Sequence, residues 1–323
     1  MNKPCQSDTN TSHSPLAPSP SSPHRGRFAP SPTGPLHFGS LIAAVGSYLQ
    51  ARQQGGQWWL RIEDIDPPRE VAGAGDAIIA LLAAYGFEWD DLSYQSQRRR
   101  LYEEALAQLQ QQQLIYPCTC TRRRLREQQG NKPGPLVYPG TCRLRRFPLR
   151  DRHAVRVLTS DAVIRFEDRV QGTHCCDLEN EVGDFVLHRA DGYFSYQLAV
   201  ALDDAEQGMT EVIRGSDLLD STPRQIHVQQ QLGWNPPAYG HLPIALGANG
   251  QKLSKQTGAR ALRHDQPLGN LSRAMQFLGH PVPEEIQQGT LQRFWDWAIA
   301  EWSLARVPDQ NETPMRIDHD ILV

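Results

Sequence analysis

A chain of 323 residues, 39 % hydrophobic and 21 % charged, has the composition of a soluble globular protein and is long enough to bury a substantial core, as one large domain or one domain with an insertion. No run approaches the roughly 18–20 apolar residues that cross a bilayer, and the Ser- and Pro-rich first 24 residues lack the apolar centre of a signal peptide; a disordered tail, no membrane association and a cytoplasmic location are expected. The net charge of −3 is unevenly spread: residues 122–156 hold eleven Lys and Arg against two acidic residues, a local +9 that suits a polyanion at one face.

Arg25–Ala29 is a short β-like run, and Pro30-Ser31-Pro32-Thr33-Gly34-Pro35 is a forced turn. Leu36–Arg52 then carries apolar residues at 41, 42, 45 and 49, a helical stripe ended by Gly55-Gly56. Trp58–Ile62 reads as a buried strand running into Glu63-Asp64-Ile65-Asp66. Asp66-Pro67 is predicted to cap and open a helix closed by Gly86, and Ser96 to cap another through Gln113. Strand, helix, strand, helix at this spacing predicts a parallel sheet of right-handed βαβ units.

Residues 116–190 break the pattern with clustered Cys, Pro, Gly and Arg and β-like runs at 154–158, 162–167 and 184–188. This reads as an insertion between two halves of a nucleotide-binding fold. Parallel α/β resumes with Tyr193–Leu202, Thr210–Arg214, a helix near Ser221–Leu232 and His241–Leu246, and residues 266–305 are helical in pattern. The predicted organisation is a tail (1–24), an α/β Rossmann-type catalytic domain (25–265) interrupted by the insertion (116–190), and a short helical C-terminal region (266–323).

Two strings carry nucleotide chemistry. His37-Phe38-Gly39-Ser40 stands where a Gly-tight turn enters a helix, whose N-terminus offers backbone donors and a positive dipole end to phosphate, while Gly39 lets a base approach the backbone. Lys252-Leu253-Ser254-Lys255-Gln256 follows the turn Gly247-Ala248-Asn249-Gly250 and places two lysines on one loop. In this order the strings resemble the HIGH and KMSKS signatures of class I aminoacyl-tRNA synthetases, in the version used by the glutamyl branch, with Ser40 in place of the second histidine. The resemblance implies ATP, with Mg, bound by His37, Gly39, Ser40 and Lys255, and catalysis by His37, Lys252 and Lys255.

Arg61-Ile62-Glu63-Asp64-Ile65-Asp66 resembles the family's RIEDTD stretch, whose glutamate accepts from the substrate α-amino group. Arg27 and Ser31, and Tyr196 and Arg214 in the strings Tyr193–Ala199 and Ile213–Asp217, match further glutamate-binding positions. A dicarboxylic amino acid needs two cations and one anion, which Arg27, Arg214 and Glu63 provide.

Cys118, Cys120 and Cys142 leave a tetrahedral zinc one ligand short. Chemistry alone favours His153 or water as the fourth ligand. The order Cys, Cys, Tyr, Cys instead resembles the zinc site of short glutamyl-synthetase relatives and implies Tyr138, in a structural role. His174 with the adjacent Cys175-Cys176 makes a poor chelate and is not read as a site.

The resemblance covers residues 25–265, and about sixty residues remain where a glutamyl-tRNA synthetase continues into a long anticodon-reading region. The architecture resembles the glutamyl-queuosine tRNA(Asp) synthetase family. That resemblance implies activation of L-glutamate without tRNA and transfer to the cyclopentenediol of queuosine at the wobble position of tRNA(Asp). The partner would be the anticodon stem-loop, met by the basic insertion of a monomer. Alternatives are a truncated synthetase charging the 3′ end of tRNA(Glu) and a non-catalytic tRNA-binding paralogue.

Overall fold

The computed structural model describes residues 23–130, 134, 136–144, 152–247, 260–310 and 312–314. The tail through residue 22 and the segment 248–259, with Lys252 and Lys255, lie outside the described residues.

β1 (Arg25–Phe28) passes through the proline turn into α1 (Phe38–Gln53), and β2 (Gln57–Ile62) returns parallel to β1, Trp58 opposite Gly26 and Leu60 opposite Phe28. The apolar stripe of α1 explains its place: Leu41, Ile42, Val45 and Leu49 are all buried against this sheet. Asp66-Pro67 does not open the next helix. Pro67–Arg69 is a single 3₁₀ turn, and α2 (Ala74–Ala84) starts only after Gly73, whose φ of 75° turns the chain in a conformation other residues resist. β3 (Asp91–Tyr94) joins β2 in parallel. Ser96 does not cap α3 (Arg99–Gln111); its backbone N–H and hydroxyl both donate to the Asp64 carboxylate, at 2.8 and 2.7 Å, a stronger acceptor than any helix end offers.

β4 (Ile115–Cys118), α4 (Arg122–Gln128), β5 (Ala154–Val157), β6 (Val163–Asp168), β7 (Gly172–Asp177), α5 (Leu178–Glu181) and β8 (Val186–His188) follow. β4, β5 and β8 form one antiparallel sheet, whereas β6 and β7 form a hairpin whose Asp168 pairs with Tyr239 of the nucleotide-binding half. The stretch 116–190 thus feeds two sheets.

α6 (Tyr196–Glu206) opens on Ser195, whose hydroxyl accepts from Leu198 N–H. β9 (Glu211–Gly215), α7 (Thr222–Gln231) and β10 (Ala238–Leu242) complete a second parallel unit, β10 pairing with β9. Thr210 N–H donates to Arg25 O at 3.0 Å, which sets β9 beside β1. Strand order therefore runs outward from β1 through β2 and β3 on one side, and through β9 and β10 on the other. Such a reversal leaves a crevice at the carboxyl ends of the two central strands, where open α/β sheets bind ligands.

β11 (Ile244–Leu246) precedes α8 (Pro267–Phe277), α9 (Glu284–Gln287) and α10 (Leu291–Glu301), and β12 (Glu312–Pro314) returns to pair with β11. α10 seals the first half: the Trp295 ring lies 4.8 Å from both Tyr48 and Phe87, and its indole N–H donates to Tyr85 O. No helix among the described residues is long and apolar enough to cross a membrane.

Candidate active site

At the crevice lies a cavity of about 620 Å³, within the usual size of ligand sites. Its walls include Arg27 and Ser31 from β1 and the turn, His37, Gly39 and Ser40 from the start of α1, and Arg214 from β9. His37 is the N-cap of α1: its Nδ1 accepts from Ser40 N–H at 3.3 Å. Accepting at Nδ1 leaves the proton of a neutral ring on Nε2, the donor form a phosphate oxygen needs. Ala261 pairs with His37, Leu262 N–H donates to Leu36 O, and Ile244 and Ala245 line the same cavity. The segment that carries the two lysines therefore leaves and rejoins the described chain at the rim of this cavity.

The other end of the cavity is charged and buried. Arg27 donates from Nε and Nη2 to the two oxygens of Asp204, at 3.0 and 3.1 Å. Arg61, fully buried, donates to Asp204 Oδ1 and to Gln207 Oε1, both at 2.7 Å, and reaches Glu63 Oε1 at 3.5 Å. Burial lifts the Glu63 carboxyl to about 7 although Arg61 and Arg27 draw it down. Burial also penalises ionised Asp204, but Arg27 and Arg61 outweigh it and hold that carboxyl at about 2. Burial raises the Tyr196 phenol, with Arg214 opposing.

Arg214 is held as firmly. Its Nε donates to His241 Nε2 at 3.0 Å, Nη1 to Gln225 Oε1 at 2.8 Å, and Nη2 to Thr222 Oγ1 at 2.8 Å. Arg27, Ser31, Tyr196 and Arg214 share one cavity, and Glu63 lies behind them on the wall of a second.

Sequence reasoning missed Asp203, Asp204 and Gln207. The signal was there: two acids in the otherwise apolar stretch of α6, with Asp203 seven residues after Tyr196 and hence on its face of the helix. A buried Asp pair on such a face must meet cations, and Arg98, Arg61 and Arg27 supply them.

The second cavity, of about 520 Å³, shares Ser31, Thr33, Arg69 and Tyr196 with the first and runs toward the insertion, where Arg122, Arg126, Arg156 and Arg189 line it. Beside it, the sulfurs of Cys118, Cys120 and Cys142 lie within 4.8 Å of one another, and no histidine or carboxylate joins this group among the described residues. Tyr138 does join it, its hydroxyl 3.4 Å from Cys118 Sγ and 3.9 Å from Cys120 Sγ. The tyrosine is placed by the pairing of its backbone with Gly183, at φ 69°, where an added Cβ would lie 2.2 Å from Tyr138 O. Arg156 packs 3.8 Å over the Tyr138 ring and donates to Cys118 Sγ at 3.2 Å. Three sulfurs and one phenol converging with a cation behind them form a donor set able to hold a metal ion.

Residues 24–274 match the family described as tRNA synthetases class I (E and Q), catalytic domain. A glutamyl-Q tRNA(Asp) synthetase of Dechloromonas aromatica is 52 % identical over 293 residues, 90 % of this chain and 97 % of its own. That of Chromobacterium violaceum is 50 % identical over 88 % of this chain and 95 % of its own. Among solved structures, a glutamate tRNA ligase of Elizabethkingia meningosepticum superposes with a TM-score of 0.75 at 25 % identity, over 91 % of this chain and 67 % of that one. The crevice at the strand reversal, the capped helix start and the buried arginine–carboxylate cluster are thus features of a chain that belongs to the class I tRNA synthetases of the E and Q branch and, within it, to the glutamyl-Q tRNA(Asp) synthetases.

Proposed function

We propose that this protein activates L-glutamate with ATP and Mg in the absence of tRNA, and then transfers the glutamyl group to the cyclopentenediol of queuosine in the anticodon loop of tRNA(Asp). In the first step a substrate carboxylate oxygen attacks the α-phosphorus and pyrophosphate leaves. In the second a hydroxyl of the diol attacks the carbonyl carbon of the adenylate, loses its proton and displaces AMP.

Arg27 and Arg214 bind the two carboxylates of glutamate, Glu63 accepts from its ammonium, and Ser31 and Tyr196 close the pocket. His37, with the amides of Gly39 and Ser40, receives the phosphates, and Lys255, assisted by Lys252, meets the charge that develops on the leaving pyrophosphate. Cys118, Cys120, Tyr138 and Cys142 hold one zinc ion, which ties the insertion together and has no part in the chemistry. The enzyme works as a cytoplasmic monomer.

The observation that supports this reading is the shared wall of the two cavities. Ser31, Thr33, Arg69 and Tyr196 border both, and the second is lined by the insertion arginines Arg122, Arg126, Arg156 and Arg189, a place where an everted base and its phosphates would meet cations. The test incubates the protein with ATP, labelled glutamate and tRNA with or without queuosine, and maps the labelled fragment with nuclease. Label confined to the queuosine-containing anticodon fragment is expected. Label on the 3′ adenosine of tRNA(Glu) would make the protein a truncated synthetase instead, and glutamate-dependent ATP–pyrophosphate exchange that appears only when tRNA is added would remove the tRNA-free first step.

A further inference from the structure

The geometry points to Asp168 and His241 as positioning residues that orient Arg214 by fixing one tautomer of the histidine. The inference rests on the reading above, in which Arg214 binds a carboxylate of glutamate.

His241 is fully buried at the end of β10, directly behind Arg214. Two donors converge on its Nε2: Arg214 Nε–H at 3.0 Å and the hydroxyl of Thr222 at 3.1 Å, itself occupied as acceptor by Arg214 Nη2. A guanidinium can only donate, so Nε2 must present its lone pair and the ring proton must sit on Nδ1. Asp168 accepts from that N–H, its Oδ2 lying 2.5 Å from Nδ1. The carboxylate cannot turn away, because its Oδ1 accepts the backbone N–H groups of Val170, Gln171 and His241 at 3.0, 2.9 and 3.0 Å. The chain Asp168–His241–Arg214 therefore has one consistent set of donors, and with Thr222 and Gln225 it sets the plane of the guanidinium before substrate arrives. Asp168 ends β6, in the stretch 116–190, so this part of the chain also reaches the glutamate pocket from behind.

The arrangement makes Asp168→Asn a specific lesion. The three backbone amides recruit the carbonyl oxygen of Asn, which leaves its NH₂ facing Nδ1. That amide donates, the ring proton moves to Nε2, and an N–H then points at the N–H of Arg214. The same logic makes His241→Gln mild, since Oε1 can stand where Nε2 stood. His241→Asn is harmful, because its shorter amide does not reach Arg214.

Glutamate-dependent ATP–pyrophosphate exchange with the full chain tests this. Asp168→Asn is expected to raise the KM for glutamate about tenfold or more, the loss of one charge-assisted bond, while the KM for ATP stays within about twofold. His241→Gln is expected to remain within about threefold of the parent, His241→Asn to resemble Asp168→Asn, and Asp168→Asn with His241→Gln to recover, since Gln has no tautomer to invert. Parental glutamate KM in Asp168→Asn, or equal KM values for the Gln and Asn variants of His241, overturns the inference. If Asp168→Asn is not recovered folded, the His241 pair decides alone. A parent without glutamate-dependent exchange would instead remove the glutamate reading itself.

Discussion

Replacing Asp204 by Asn removes one negative charge from a place where two buried guanidinium groups lean on it. Asn can keep its oxygen where Arg27 Nε and Arg61 Nη2 donate, at 3.0 and 2.7 Å, but its NH₂ then faces Arg27 Nη2, which donated to the lost oxygen at 3.1 Å. Removing one partner of a buried ion pair costs about 3–5 kcal/mol. The depression of the Asp204 carboxyl from 3.8 to about 2 gives a floor of about 2 kcal/mol for its ionised over its neutral form. We therefore expect Asp204→Asn to lower stability by about 2–5 kcal/mol at pH 7, and Tm by about 5–15 °C, read by urea denaturation and calorimetry. A depressed carboxyl contributes stability above its unfolded pKa and loses it as pH falls through the folded one. The difference between parent and variant should hold from neutral pH down to about 5 and narrow below 4, as the parent acquires the neutral side chain the variant already has. A variant within about 1 kcal/mol of the parent at pH 7 would mean that Arg27 and Arg61 are neutralised elsewhere.

Lys255→Ala should slow glutamate activation about 10²- to 10³-fold with little change in glutamate KM, because the lysine acts on charge that grows in the transition state; steady-state exchange separates the two. One zinc per chain should appear in metal analysis of the purified protein and be lost in Cys118→Ser and Cys142→Ser, whereas Tyr138→Phe weakens the site less because water can take the fourth place. Glu63, raised from 4.5 to about 7, should give two trends of opposite sign. Its raised pKa contributes stability to the ligand-free fold below 4.5 that is lost as pH rises through 7, while the KM for glutamate should grow below pH 7 because only the ionised carboxylate pairs with ammonium. Calorimetry and exchange kinetics across pH 5.5–8.5 check both, with Glu63→Gln removing both trends.

The parts legible in the sequence are those where one local rule acted alone. The stripe of Leu41, Ile42, Val45 and Leu49 had a sheet to cover, and the proline turn had one way to go. Asp66-Pro67 misled because the Asp66 carboxylate pairs with Arg69 and Arg189 and caps no helix, and the chain needed Gly73 in the left-handed region before a helix could start. β7 carries Gly-Thr-His-Cys-Cys-Asp, with no apolar alternation, and exists because β6 offers a free edge. β12 is as mute, three polar or proline positions paired with β11. Such strands are set by partners distant in sequence, which periodicity does not report. At the site, Arg27, Ser31, His37, Tyr196 and Arg214, which line one cavity, are singled out by resemblance. Asp204 left the mark of an acid pair in an otherwise apolar helix stretch, whereas Asp168 and His241 left none, because an acid or a histidine at a strand end looks the same whether it faces water or a buried arginine.

That division has a physical basis in the reaction. Activation brings a carboxylate to a nucleotide polyphosphate, so the site must offset the repulsion of two anions. It must do so with cations that do not collapse onto one another or onto solvent while they wait. Arg27 waits on Asp204 and Arg214 waits on the neutral acceptors His241, Gln225 and Thr222. The two arginines are thereby made unequal. Arg27 is largely neutralised by its buried partner and gives mainly geometry, whereas Arg214 bonds to no carboxylate among the described residues and keeps its full charge. A histidine kept neutral by burial and by the charge of Arg214 itself, and held in one tautomer by Asp168 one bond further away, holds a cation in place without quenching it. Moving the supporting carboxylate into direct contact, as His241→Glu would attempt with the reach of Gln, would therefore keep Arg214 in position and still weaken the binding of glutamate, read as a raised glutamate KM in pyrophosphate exchange.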